Sequence, residues 1–77
     1  MLEAEVMKML SIGLAVGLGM LGPAIALGLI GFSALQGIAR NPEARGPIFT
    51  NMILVAGLAE AIGIYVLIVA ILLAMVV

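Results

Sequence analysis

Glu60 is the side chain whose type and place can do chemistry. It lies 12 residues past Ile48 and 17 before Val77, in a run that holds no other charge. A lone carboxyl in apolar surroundings can bind and release a proton. The chain has no His and no Cys, so zinc sites of the usual kinds, disulfides and thiol catalysis are excluded. Tyr65 is the other polar side chain nearby. Five positions on, it points about 140° away round a helix. Within one helix the two cannot meet. Between identical copies, the Glu60 face of one can meet the Leu58, Ala61 and Tyr65 face of the next, which predicts a hydrogen bond between the Tyr65 hydroxyl and the Glu60 carboxyl. Gly57, Ala59, Ala61 and Gly63 flank Glu60 and leave room for the carboxyl to swing.

The elements that must position Glu60 are set by composition. The chain has 77 residues, 66% of them hydrophobic, with seven charged side chains. A soluble domain carries roughly 25% charged residues; this chain carries 9%. A water-soluble monomer is excluded. Three basic residues make no phosphate-binding footprint, so nucleic acid is excluded as a partner. The class left is an integral membrane protein.

Two apolar runs, 9–38 and 48–77, are each long enough for a transmembrane helix. Neither alternates polar with apolar residues as a barrel strand would. The segment between them, with Arg40, Asn41, Pro42, Glu43, Arg45, Gly46 and Pro47, is a polar turn. The expected fold is an all-α transmembrane hairpin, a single membrane domain over 1–77. Its helices should cover about 5–39 and 48–77, with the turn at about 40–47. Pro47 suits the first turn of the second helix. Arg40 and Arg45 place the turn on the cytoplasmic side and both termini outside, since basic residues favour that side. Ala24-Ile25-Ala26 is similar to a leader-cleavage site. The stretch before it is acidic at Glu3 and Glu5, and its apolar part is too long for a leader, so the chain is expected to be mature as it stands.

At 100° per residue the first helix shows two small faces. Gly13, Gly17, Ala24, Gly28 and Gly31 form one. Ser11, Ala15, Gly19, Gly22, Ala26, Ser33 and Gly37 form the other. Small residues let membrane helices approach closely. Two such faces suit a helix clasped on both sides, which identical copies achieve by closing a ring. Pro23 lies mid-helix, where membrane helices tolerate a kink. Folding the hairpin about residue 43 or 44 sets Glu60 level with Ala26 or Leu27, where no side chain offers a hydrogen bond. Near mid-membrane an ionised carboxylate costs several kcal/mol, so hydrocarbon favours the neutral form, and such residues mark ion or proton pathways. A protonated Glu that ties helices together is the structural alternative.

These residues resemble the c-subunit, the ring-forming proteolipid of rotary F-type ATP synthases, over essentially the whole chain. The small-residue repeat reads Gly22-Pro23-Ala24-Ile25-Ala26-Leu27-Gly28. The turn reads Arg40-Asn41-Pro42, and Glu60 stands 20 residues beyond Arg40 with Tyr65 five further on. The resemblance implies that Gly22, Ala24, Ala26 and Gly28 pack the ring. It implies that Arg40, Asn41 and Pro42 face the central-stalk subunits. It further implies a stator a-subunit that supplies an arginine, and a lipid-facing Glu60 that is neutral when protonated. Sodium-binding members of the family carry a Gln where this chain has Leu27 and a Ser or Thr where it has Ala61. Hard cations want several oxygen ligands. Leu27, Ala61 and Ile62 supply none from their side chains, which leaves Glu60, Tyr65 and the Leu58 carbonyl. Proton coupling is therefore expected over sodium coupling, with no metal and no cofactor. The chain has no phosphate-binding loop and is expected to be a non-catalytic component of an energy-coupling membrane, that of the bacterial plasma membrane. Two other classes compete. A structural or regulatory two-helix membrane protein leaves the placing of Glu60 unexplained. A holin-like pore needs a polar stripe that neither helix has.

Overall fold

The computed structural model describes residues 2–76. It is an all-α hairpin. Helix α1 spans Leu2–Arg40 and helix α2 spans Arg45–Met75, joined by a single 3₁₀ turn at Pro42–Ala44. Gly19 lies on Val66 and Gly37 on Ile48, so the helices run antiparallel. The molecule measures 61 × 16 × 8 Å. Both helices are long and apolar enough to cross a membrane. The hydrocarbon core is about 30 Å thick, so the hairpin overhangs it.

The connection is tighter than the polar segment that composition marks at about 40–47. Asn41 alone lies outside a helical turn. Its N–H still completes α1 by donating to the Gly37 carbonyl at 3.0 Å. Pro42 then fixes the backbone for the 3₁₀ turn, where its missing N–H removes no bond. Ala44 N–H donates to the Asn41 carbonyl at 3.0 Å, and Arg45 N–H donates to that of Pro42. Arg45, Gly46 and Pro47 therefore belong to the first turn of α2, where proline is tolerated. Arg40 closes α1 beside the unpaired carbonyl end, which favours a cation.

No core exists in the water-soluble sense. The buried apolar residues are Ala34, Ala59 and Ala70, joined by Pro23 and Gly63. All are small or compact, which lets the helices approach closely. On α2 the seam runs through Met52, Ala56, Ala59, Gly63, Val66, Ala70 and Leu73, the alternating spacing of four and three that keeps one stripe facing a partner helix. Large apolar side chains such as Leu18, Phe32 and Leu54 point outward, as expected where the solvent is lipid.

Of the two small faces of α1, the seam takes part of one. Ala15, Gly19, Ala26 and Gly37 are half-buried against α2. A Cβ on Gly19 would stand 2.6 Å from Val66 Cγ1, and one on Gly37 would stand 3.1 Å from Ile48 Cδ1. The other face stays open, with nothing within 4 Å of a Cβ at Gly13, Gly17, Gly28 or Gly31. Pro23 does not break α1, which runs through it as one helix. It is buried on the seam, where its compact ring fits the close approach.

Candidate functional site

Glu60 belongs to the middle of α2, between buried Ala59 and half-buried Ala61. Its own side is exposed. The carboxyl leans along the helix, with Oε1 at 3.9 Å from where a Cβ on Gly63 would stand. From α1, the Met20 thioether reaches the same place, with Sδ at 3.3 Å and Cε at 3.9 Å. Gly63 is thus a notch that two side chains share.

Contacts of Gly19 with Val66 and of Gly37 with Ile48 set the register. They put Glu60 level with Ile25, slightly nearer the start of α1 than the Ala26 to Leu27 level expected from the sequence. The cause is the tight connection, which centres the fold on Pro42 and Glu43 rather than on 43 and 44. Ile25 is apolar and exposed, so α1 offers no side-chain hydrogen bond at that level either. Among the described residues the side-chain hydrogen bonds are Ser11 to the Met7 carbonyl at 2.8 Å, Thr50 to that of Gly46 at 3.0 Å and Asn51 to that of Pro47 at 2.9 Å. None involves Glu60.

Tyr65 is 69% exposed and stands on another side of α2. It lines an apolar groove with Leu14, Leu18, Ile62 and Val69. One chain does not bring Tyr65 to Glu60. Leu58 is exposed, Ala61 and Leu27 are half-buried, and none of these adds a polar side chain. In the repeat, Gly22, Ala24 and Gly28 are exposed while Ala26 is half-buried at the seam. Arg40, Asn41 and Pro42 are exposed at the turn, about 22 Å along α2 from Glu60 at 1.5 Å per residue. That exceeds a Debye length at physiological salt.

The site is therefore one carboxyl on the flank of a hairpin, without an ionic partner among the described residues. A carboxyl so placed has the chemistry to bind and release one proton. Sequence reasoning did not single out Met20. The signal was present: Met20 interrupts the small stripe between Gly17 and Ala24, and Gly63 stands one turn beyond Glu60 on the same face.

Similarity to known proteins covers nearly the whole chain. The family model for the ATP synthase C-subunit matches residues 10–73. The ATP synthase c-subunit of Dehalococcoides mccartyi is 57% identical over 72 residues, 94% of this chain and 95% of that protein. Its counterpart in Thermotoga maritima is 44% identical over 70 residues, 91% of this chain and 82% of that protein. The chloroplastic ATP synthase c-subunit of Ostreococcus tauri is 48% identical over 58 residues, 75% of this chain and 71% of that protein.

Proposed function

The chain belongs to the ATP synthase c-subunit family, and from that membership we propose that it carries protons in a rotor ring, with Glu60 as the carrier. The observation that supports this most is the placing of Glu60. It is the one carboxyl side chain of α2, it is exposed on the hairpin flank, and no side-chain hydrogen bond among the described residues involves it.

Identical copies close a ring through the small positions Gly22, Ala24, Ala26 and Gly28. Protonated Glu60 is neutral and can face lipid. Ionised Glu60 cannot stay there, so the charged form is confined to the contact with a stator partner that supplies an arginine. Proton exchange there lets the ring turn in one direction. The exposed Arg40-Asn41-Pro42 turn faces the central stalk on the cytoplasmic side, with both termini outside, in a bacterial plasma membrane. The chain is a non-catalytic part of the complex.

Carbodiimide modification tests the carrier role and the coupling ion together. Glu60 should react selectively in the assembled complex, and added sodium should leave its rate unchanged. Protection by sodium would replace the proton with that ion. Tyr65 supports Glu60 from the neighbouring copy in this reading. Tyr65→Phe should therefore shift the pH at which Glu60 labelling is half-maximal, because one hydrogen bond to the carboxyl is lost. An unshifted profile would remove Tyr65 from the site.

A further inference from the structure

The Gly63 notch carries an inference about how Glu60 is reached, which rests on the proton-carrier reading of that residue. Gly63 is buried at the seam. Both Met20 Sδ and Glu60 Oε1 stand within 4 Å of the point where its Cβ would be. Elsewhere on the stripe that Met20 interrupts, Gly13, Gly17 and Gly28 face open space. Met20 itself is half-buried. Met20, which breaks that stripe between Gly17 and Ala24, is therefore turned onto α2, into the notch that the carboxyl also reaches.

We infer that Met20, seated on Gly63, is a positioning residue that closes the α1-facing side of the Glu60 carboxyl and leaves it reachable only from the outward side. The chemistry suits the task. A thioether is unbranched, flexible and apolar, and fills irregular gaps. It has no proton to give and only a weak acceptor lone pair. It offers an ionised carboxylate no donor and a hard cation no oxygen. A proton leaving Glu60 therefore departs away from α1, not across the hairpin. Gly63 is the matching half, because only a residue without a side chain lets both groups reach the same space.

The test is the rate of carbodiimide modification of Glu60, measured per assembled ring in membrane vesicles. Met20→Ala opens the covered side, and the rate is expected to rise several-fold. Met20→Leu restores similar bulk and should return the rate close to that of the parent. Gly63→Ala fills the notch and displaces both groups, so it should also speed the reaction. Adding Met20→Ala to Gly63→Ala should then change little, since the two act on one contact. A purely structural role for Met20 would lower the yield of rings and leave the rate per ring unchanged. That result would overturn the inference while Glu60 still reacted. An unreactive Glu60 in the parent protein would instead sink the carrier reading. If Met20→Ala gives no rings, Gly63→Ala decides alone, and a parent-like rate there overturns the proposal.

Discussion

Glu60→Gln is expected to reduce proton transport to the background of vesicles that lack the complex. The amide keeps the length and shape of the side chain and still forms hydrogen bonds. It has no proton to exchange at any accessible pH. Being neutral, it also avoids the several kcal/mol that an ionised group costs in hydrocarbon. Insertion, hairpin formation and assembly should therefore survive. Two measurements together check this. ATP-driven acidification of inverted vesicles should vanish, and oligomers of parental size should still be recovered in detergent. Transport that persists in Glu60→Gln would end the proposed function, because α2 holds no other carboxyl side chain. Glu60→Asp is a useful companion. It keeps the acid and shortens its reach, so the carboxyl can no longer extend as far over Gly63, and slowed transport is expected rather than none.

The second large effect concerns the seam. Gly19→Ala places a Cβ 2.6 Å from Val66 Cγ1 and 3.0 Å from Cγ2, closer than such atoms can approach. Valine is stiff about χ1, so the helices must part or the backbone must shift. Overpacking of this kind costs about 1–3 kcal/mol. Val66→Ala should relieve most of the cost, since it removes the two methyl groups that clash. Gly17→Ala, which meets open space in the hairpin, should be nearly silent within one chain. The chain has no native Cys, so Leu10→Cys and Met75→Cys allow clean spin labelling at two exposed, nearly level positions. The distance between the labels should lengthen and broaden in Gly19→Ala, and should narrow again when Val66→Ala is added. An unchanged distribution in Gly19→Ala would mean that the helices are not held this close.

The hairpin is legible in the sequence because hydropathy and turn chemistry are strong, local signals. Two mainly apolar runs, 9–38 and 48–77, on either side of a polar segment with two prolines admit few other folds. Glu60 is legible for the same reason: a carboxyl in hydrocarbon stands out by cost alone. Register is less so, since it depends on how many residues the turn consumes. Pro42 starts a 3₁₀ turn at once, and Arg45 already belongs to α2, which moves the fold point and shifts Glu60 toward Ile25. The division of labour between the two glycine faces is also hidden. A helical wheel shows that Gly19 and Gly28 lie on different faces, but not which of them meets Val66. The break that Met20 makes in the small stripe is visible in the sequence, but its seat on Gly63 is not, because a long flexible side chain can settle on either side of its helix.

The three side-chain hydrogen bonds have a consequence for how the protein comes into being. Ser11, Thr50 and Asn51 each donate to a carbonyl four residues back in their own helix. None of these bonds crosses from one helix to the other. Insertion and pairing can then be separate events: each helix is a finished object once it spans the bilayer, and the seam forms afterwards by fit alone. A biogenesis defect that arises at Gly19 or Gly63 should thus leave both spans inserted and their topology correct, with only their companionship lost.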